Sequence, residues 1–368
     1  TDLVATGVVN SVTDSNKITA PAIANTSTSA VDLVLGTGAG GNISVTSVAH
    51  QANDTIGNFS QVTGSSVTSS VKDASAASSV SLSSNTIGAE STLNTLKQSV
   101  QGKLALTFNT TDVGTASMSA IGVDGDTTTT NEITGDAGIL VTSSQYNATV
   151  IDDTAGHLAA ATNAGFAVVD GANSIALINN GTFGTGLKLA ADNNSLTAIF
   201  TGNNATNLLD VQTGGATTLS SSAGVASQQT NVAVDANTAP TAGGASAALG
   251  DGTNLNKISA SVAETKFENS NLSFTSNKLA ASATGSVAAN TLNVANGLNV
   301  SAEGTQANTL VFDTTKETST TSGGLFITNM QLAKTSDIIA TATSPNSGND
   351  LSVDSRGLVN STIKADSN

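Results

Sequence analysis

The segment NKLAASATGSVAANTLNV, residues 277–294, decides the fold of this chain. It opens with Asn277, Leu279 and Ala281, which follow the pattern Asn, any residue, Ile or Leu, any residue, Ala. Four further copies of the pattern begin at Asn16, Asn85, Asn194 and Asn256. Chance at this composition gives about one copy or fewer, so the recurrence indicates a repeat. The three fixed positions fall at i, i+2 and i+4, which is one face of a β-strand.

The repeat continues beyond its first strand in the copies that begin at Asn194 and Asn277. A Gly follows eight positions after the first Asn, and a second Asn follows at thirteen. These residues are Gly202 and Asn207 in one copy, and Gly285 and Asn290 in the other. An alternating apolar pair then closes each copy: Leu209 with Val211, and Leu292 with Val294. The unit therefore predicts a strand, a Gly/Asn turn and a second strand.

An Asn on the same strand face as Ile and Ala needs hydrogen-bond partners, because burying an unpaired amide costs about 2–7 kcal/mol. Each Asn can stack over its equivalent in the next coil of the chain and form an amide ladder. Alternatively, each Asn caps a strand at a solvated hairpin turn. The sequence leaves both alternatives open. Asn256 and Asn277 are 21 residues apart, which predicts a β-solenoid coil of that length, although the other intervals are irregular.

We therefore predict an all-β fold with very little helix: an elongated, irregular β-solenoid or a series of concatenated β-sandwich modules. Two segments are candidate short helices. Leu93, Leu96 and Val100 have helical spacing, and residues 157–167 are rich in Ala. The stretch around Pro240 has the composition of a linker. It predicts a β-rich module over residues 1–238 and a β-rich repeat module over residues 251–368.

The composition excludes several classes of partner. The 368 residues include 27 acidic and 12 basic side chains, for a net charge of −15. Nucleic acids bind clustered Lys and Arg, and Arg356 is the only arginine, so we expect no nucleic-acid partner. No apolar run approaches the roughly 18 residues of a membrane span. The chain has no Cys, and it begins at Thr1 without an apolar leader, as a mature exported protein does.

The sequence predicts no catalytic residue and no cofactor site. His50 and His157 lack a metal-ligand partner at i+4, and no G-x-S-x-G motif is present. One oxygen-rich cluster is a candidate for structural Ca²⁺. It consists of Asp124, Asp126, Asn131 and Glu132. Asp-Gly is also a common hairpin turn, so the cluster has two interpretations.

The last twelve residues, GLVNSTIKADSN, resemble the opening half of the repeat through Ile363 and Ala365. A half unit presents an unpaired strand edge, which templates pairing with another copy of the chain. We therefore expect a neighbouring subunit to complete this edge in a head-to-tail polymer. A frayed terminal strand is the alternative.

In composition over most of its length, and in motif at the five Asn segments, the chain resembles secreted bacterial surface proteins of the β-strand-repeat kind. This class includes adhesin passenger regions, surface-layer proteins and subunits of extracellular matrix fibres. The resemblance implies a non-enzymatic, secreted or cell-surface protein of the biofilm-matrix or adhesion type.

We expect a structural subunit that self-assembles into an extracellular filament or matrix by inter-subunit strand complementation, with copies of itself as partners. One alternative is an adhesin stalk or surface-layer protein that binds cells or glycans. Tyr146 is the only Tyr and Trp is absent, which disfavours stacking on sugar rings. The other alternative is a polysaccharide-cleaving β-helix enzyme.

Overall fold

The fold was taken from a computed structural model that describes residues 2–4, 8–35, 45–53, 58–72, 77–104, 133–134, 139–151, 165–181, 184–213, 217–219, 223–235, 245–250, 256–264, 267–294, 298–300, 307–312, 317–322, 325–334, 338–342, 349–356 and 358–366. Within these ranges the chain forms thirty β-strands and no helix. The predicted all-β class is therefore confirmed.

The first fifteen strands are β1 (Asp2–Val4), β2 (Asn10–Asp14), β3 (Lys17–Leu35), β4 (Val45–Asn53), β5 (Asn58–Thr63), β6 (Ser66–Lys72), β7 (Ser79–Ser83), β8 (Thr86–Leu104), β9 (Ile133–Thr134), β10 (Ile139–Ile151), β11 (Gly165–Asp170), β12 (Ser174–Gly181), β13 (Gly184–Thr185), β14 (Lys188–Ala190) and β15 (Ser195–Thr213).

The remaining strands are β16 (Thr217–Leu219), β17 (Ala223–Asp235), β18 (Ala245–Leu249), β19 (Asn256–Glu264), β20 (Phe267–Glu268), β21 (Asn271–Thr275), β22 (Lys278–Val294), β23 (Leu298–Val300), β24 (Ala307–Phe312), β25 (Glu317–Ser322), β26 (Leu325–Lys334), β27 (Ile338–Ala342), β28 (Asn349–Ser355), β29 (Leu358–Val359) and β30 (Thr362–Asp366).

Five parallel sheets carry the fold. Sheet I has the order β1-β6-β12-β19-β28, and sheet II has the order β2-β7-β14-β21-β30. Sheet III is β3-β8-β15-β22, sheet IV is β4-β10-β17-β26, and sheet V is β5-β11-β18-β27. The chain visits sheets III, IV, V, I and II in turn and then returns to sheet III beside the strand it left. This is the strand order expected of a β-solenoid. We call each such circuit a layer.

Three smaller sheets complete the described structure. β13, β20 and β29 form a short parallel sheet between sheets I and II, and β16 pairs with β23. β24 pairs with β25 and β9 in antiparallel fashion.

The layers differ in length because their connections differ, while the paired strands stay in register. Asn16, Asn85, Asn194 and Asn277 lie in one column and are separated by 69, 109 and 83 residues. The connection from β3 to β4 covers residues 36–44, whereas that from β8 to β10 covers residues 105–138. The irregular spacing of the repeat copies is therefore a property of the connections.

The predicted 21-residue coil is wrong. Asn256 begins β19 in sheet I and stacks between Asn173 and Asn349, whereas Asn277 precedes β22 in sheet III. The two residues stand at different corners of one layer. The pattern of an inward polar residue followed by alternating apolar ones recurs at more than one corner, because each corner starts a new strand.

The predicted strand–turn–strand unit is one uninterrupted strand. β15 runs from Ser195 to Thr213, and its buried residues alternate up to Gly202, where the phase changes because Asn203 is also buried. The pairs with β8 and β22 omit Gly202 together with Leu93 and Gly285 of the partner strands, and the register is the same on both sides of this position. The Gly/Asn signal therefore marks a shift in which side chains face inward.

The same phase shift explains the wrong helix prediction. Leu93, Leu96 and Val100 lie in β8 and are 0–1% exposed. Leu93 ends one alternating run and Asn94 starts the next, so two strand periods joined out of phase produce an apparently helical spacing. The Ala-rich candidate is strand from Gly165 onward, and its residues 157–164 lie outside the described ranges.

Left-handed residues redirect the chain into sheet III. Ser15, Ser84, Asn193 and Ser276 precede the four stacked Asn residues and have φ of 55°, 57°, 57° and 55°. Such a conformation costs a residue with a side chain about 1–2 kcal/mol. Its recurrence in every layer indicates that the hydrogen bonds of the following Asn hold the corner in place.

The apolar core lies between the first halves of the long sheet III strands and sheets V, I and II. One column shows its construction: Ile87 and Leu196 are fully buried in the middle layers. Ile18 and Leu279 occupy the same column in the outer layers and are only partly buried. The core is thus sealed along its sides and open at both ends.

Two predictions about the chain's organisation have different outcomes. The boundary near Pro240 falls among residues outside the described ranges and stays a prediction, although strands from both sides of it pair in the same sheets. The prediction that the last segment corresponds to the opening half of the repeat, and thus to sheet III, is wrong, because the segment lies in sheet II. Ile363 lies beside Leu272 of β21, one strand earlier in the layer than Leu279.

Phe200 and Ile199 provide a matched test of this architecture, since they are neighbours on opposite faces of β15. Phe200 is fully buried, whereas Ile199 is 38% exposed. We expect Phe200→Ala to lower the free energy of unfolding by about 3–5 kcal/mol, because it leaves a cavity. Ile199→Ala should lower it by less than about 1 kcal/mol. Urea unfolding followed by circular dichroism measures both, and equal losses would contradict the assignment of the inward face.

Candidate functional site

The stacked Asn residues form an amide ladder that runs through all four layers. Asn16 Nδ2 donates to Asn85 Oδ1 at 2.9 Å, Asn85 Nδ2 donates to Asn194 Oδ1 at 3.0 Å, and Asn194 Nδ2 donates to Asn277 Oδ1 at 3.1 Å. The backbone N–H of each donor residue reaches the same oxygen at 3.0–3.1 Å. The ladder alternative of the sequence analysis is therefore the correct one.

Each ladder amide also bonds backward to the layer before it. Asn194 Nδ2 donates to the carbonyl of Leu82 at 2.9 Å, and Asn277 Nδ2 donates to the carbonyl of Ala191 at the same distance. Asn194 thereby makes hydrogen bonds to both neighbouring layers and is only 1% exposed. Full pairing is what makes a buried amide acceptable in an apolar strand face.

A second ladder stands at the entrance to sheet I. Asn173 Nδ2 donates to Asn256 Oδ1 at 2.9 Å, and Asn256 Nδ2 donates to Asn349 Oδ1 at 3.3 Å. In the layer before, the backbone N–H of Ser65 donates to Asn173 Oδ1 at 2.8 Å. Both ladders use the same geometry, with donors pointing from an earlier layer to a later one.

Between the second half of sheet III and sheet IV, the interior combines fully buried aliphatic residues, such as Leu209 and Val225, with buried polar side chains. Gln145 Nε2 donates to Gln51 Oε1 at 2.8 Å, Gln229 Nε2 donates to Gln145 Oε1 at 2.8 Å, and Gln331 Nε2 donates to Gln229 Oε1 at 2.9 Å. Here the donors point from a later layer to an earlier one. The Gln ladder therefore runs opposite in direction to the Asn ladders.

The same part of the interior contains a further network around Asn207. Its Nδ2 donates to Ser227 Oγ at 2.7 Å, to Ser143 Oγ at 2.9 Å and to Asn290 Oδ1 at 2.9 Å. Asn207, Ser143 and Ser227 are fully buried. In addition to its buried aliphatic residues, this half of each layer is held by side-chain hydrogen bonds, which are strong in a low-dielectric interior when every member is paired.

The two ends of the stack are open. We call β1–β5 the first face, and β22, β26, β27, β28 and β30 the last face. Each of these strands is the outermost of its sheet among the described residues. Such an edge presents unpaired backbone N–H and C=O groups to an incoming strand.

Exposed apolar side chains gather at the same faces. Nine large ones are exposed in the described ranges, and eight belong to the outer layers. The eight are Val8, Val12, Ile23, Phe59, Val287, Ile327, Leu358 and Val359. Ile327 is the clearest case, because its column partners Val141 and Val225 are fully buried while Ile327 is 51% exposed. Leu358 likewise lies beside the fully buried Phe267. Val12, Ile23, Phe59 and Val287 lie on the outward sides of their strands.

The ladders give these faces a direction. At the first face, Asn16 Oδ1 has no donor among the described residues, and at the last face the same holds for Gln331 Oε1. A second copy placed head to tail continues the main Asn ladder, the Gln ladder and sheets III, IV and V in their existing direction. A two-fold contact between like faces reverses both. The arrangement therefore suits heterologous contacts, which build open polymers.

Of the residues that the sequence analysis considered as chemical sites, the structure describes only His50. Asp124, Asp126, Asn131 and Glu132 fall outside the described residues, so the Ca²⁺ site stays a prediction; His157 also falls outside them. His50 lies in β4. No group of three or more potential metal ligands occurs within the described ranges. The part of the chain that the structure describes also has no helix able to cross a membrane.

Sequence reasoning missed the Gln ladder. Its members are 94, 84 and 102 residues apart, and only a short Ser-x-Gln likeness links residues 143–145 with 227–229.

Comparison of the chain with protein-family models, with curated proteins and with solved structures found no match.

The main ladder has an internal control, because Asn194 and Asn16 occupy one column in a middle layer and an outer layer. Asn194→Ala leaves the N–H and Nδ2 of Asn85 without their acceptor and the Leu82 carbonyl without a donor. We expect a loss of about 2–4 kcal/mol in unfolding free energy. Asn16→Ala should cost less than about 1 kcal/mol, because the Asn16 N–H still reaches Asn85 Oδ1. Urea titration of both variants checks this, and a similar loss for both would contradict the role of the ladder.

Proposed function

We propose that this protein is a non-enzymatic structural subunit that self-assembles head to tail into an extracellular filament or matrix. In the proposed contact, the last face of one copy lies on the first face of the next. The observation that carries the proposal is the pair of open faces, which combine unpaired sheet edges, exposed core columns and amide ladders of matching direction.

The chemistry of the faces supports this contact. Strand edges in sheets III, IV and V pair backbone to backbone, and the exposed inward columns lose their contact with water. Ile327 faces the position that Ser47 of a second copy occupies, since Ser47 begins the column that Val141, Val225 and Ile327 continue. Gln51 Nε2 of that copy continues the ladder to Gln331 Oε1. Each of these contacts repeats one already made between layers of a single copy.

Few charged side chains oppose the proposed contact between the faces. Only 11% of residues are charged, and the last face carries pairs of opposite sign, including Lys257 with Asp350 at 3.5 Å and Lys364 with Asp366 at 4.0 Å. Like charges directly opposite each other would oppose strand pairing. The proposed secreted location rests on the resemblance of the Asn segments to β-strand-repeat surface proteins.

Ile327→Lys and Ile199→Lys separate assembly at the faces from general surface effects. Both replace an exposed Ile in a strand, but Ile327 lies on the last face and Ile199 on the outer side of a middle layer. We expect purified wild-type protein to form filaments in negative-stain micrographs. Ile327→Lys should raise the concentration required for assembly more than about tenfold, because a buried unpaired ammonium is costly, and Ile199→Lys should leave it unchanged. A wild-type chain that remains monomeric at all concentrations would refute the proposed function.

A further inference from the structure

The five sheets hold unequal numbers of strands. Sheets I and II have five each, whereas sheets III, IV and V have four each. The fifth strands arise because β1 and β2 lie beneath β6 and β7, while β28 and β30 lie above β19 and β21. The described chain therefore begins with a part-layer, β1 and β2, beneath four complete layers, and the last of these layers ends with β28 and β30.

This excess creates a conflict when two copies stack. If β3, β4 and β5 of the second copy pair with β22, β26 and β27 of the first, the second copy's β6 follows its β5 onto β28. However, β6 already pairs with β1 of its own copy. In the same way, β2 of the second copy and β30 of the first compete for the same edge of the second copy's β7. β1 and β2 of one copy and β28 and β30 of the other therefore occupy the same place.

The contacts of the two segments decide which one yields. In sheet II, Ser11 and Thr13 of β2 lie beside Val80 and Leu82 of β7. Ile363 and Ala365 of β30 occupy the same columns, beside Leu272 and Phe274. A Ser and a Thr thus stand where the competing strand offers an Ile and an Ala. In sheet I the contrast is one of length, since β1 has three residues and β28 has seven.

The two segments also share the signal that leads into the main ladder. The sequence Asp14-Ser15-Asn16 recurs as Asp366-Ser367-Asn368, and Asp14 and Asp366 both lie in the column of sheet II that contains Ser83 and Thr275. Asn368 stands two residues after Asp366, as Asn16 does after Asp14. The two segments thus carry the same three-residue sequence, and its Asp occupies the same column of sheet II in both.

We propose that β1 and β2 form an exchangeable plug, displaced during assembly when β28 and β30 of another copy pair with β6 and β7. This inference rests on the proposed function and deepens it by naming the surface and the step. In a separate copy, the plug covers part of the first face. Exchange replaces its polar strand by a more apolar one and lets all five sheets continue into the next subunit.

A reversible lock tests the exchange. The chain has no Cys, so Val12→Cys/Ser81→Cys introduces one pair across β2 and β7, at residues that lie side by side in register. The control Ser81→Cys/Ala190→Cys links β7 to β14, two strands that stay together in the proposal. Neighbouring parallel strands lie about 4.8 Å apart, within the Cα separation that disulfides allow. Free-thiol titration verifies that both bonds form.

We expect the oxidised Val12/Ser81 variant to assemble at least tenfold more slowly than the wild type, measured by light scattering and micrographs, and to recover when reduced. The oxidised control should assemble at the wild-type rate. Wild-type assembly by the locked protein would overturn the exchange while leaving the proposed function intact. Absence of assembly in the wild type itself would refute the proposed function.

Ser11→Ile supplies a second test that needs no disulfide. It gives the plug the residue that Ile363 provides at the same column of sheet II, so the plug should hold its place more firmly. We expect the lag before assembly to lengthen several-fold, with the final filaments unchanged. The exposed neighbour Val12 provides the control: Val12→Ile should leave the lag as it is. An unchanged lag in Ser11→Ile would contradict the plug.

Discussion

An inward-facing amide can be buried here only because the next layer supplies its partners. Parallel strands lie about 4.8 Å apart, and at that spacing Nδ2 of one Asn reaches Oδ1 of the next at 2.9–3.1 Å. A strand shifted by two residues keeps its apolar face inward but leaves Asn85 and Asn194 opposite aliphatic side chains. The ladders thus fix the register that hydrophobic alternation alone leaves ambiguous, and the left-handed corners before them depend on the same bonds.

This constraint also explains how a chain with only 3% aromatic residues holds a long interior. The apolar half of each layer is lined mainly by Val, Ile, Leu and Ala, with Phe200, Phe267 and Phe274 as its largest members. The other half adds the Gln ladder and the network at Asn207 to buried aliphatic residues such as Leu209 and Val225. Because these bonds run between layers, the interior is completed by stacking. A layer at either end therefore has these hydrogen bonds and contacts on one side only, whereas a middle layer has them on both sides.

The sequence allowed the all-β class and the inward face of the repeat to be predicted, since both rest on local alternation. It left the stacking of the Asn residues as one of two alternatives, because a solvated strand cap also satisfies an amide. It did not allow Asn256 to be assigned to its own corner, because one short pattern starts strands at different corners. Leu93 and Leu96 imitated a helix through a phase shift that no local rule reveals. The Gln ladder depends on residues about a hundred positions apart, and the open faces depend on where each sheet ends. Both require the order of the strands in space.

The connections between sheets III and IV differ greatly in length, from residues 36–44 in one layer to residues 105–138 in the next, yet the columns on either side remain aligned. Because the ladders hold the strands in register, the connections between sheets do not need to have a fixed length. Selection can therefore lengthen, shorten or rewrite them independently, one layer at a time. The paired strands can therefore stay constant while the lengths of the connections change from one layer to the next.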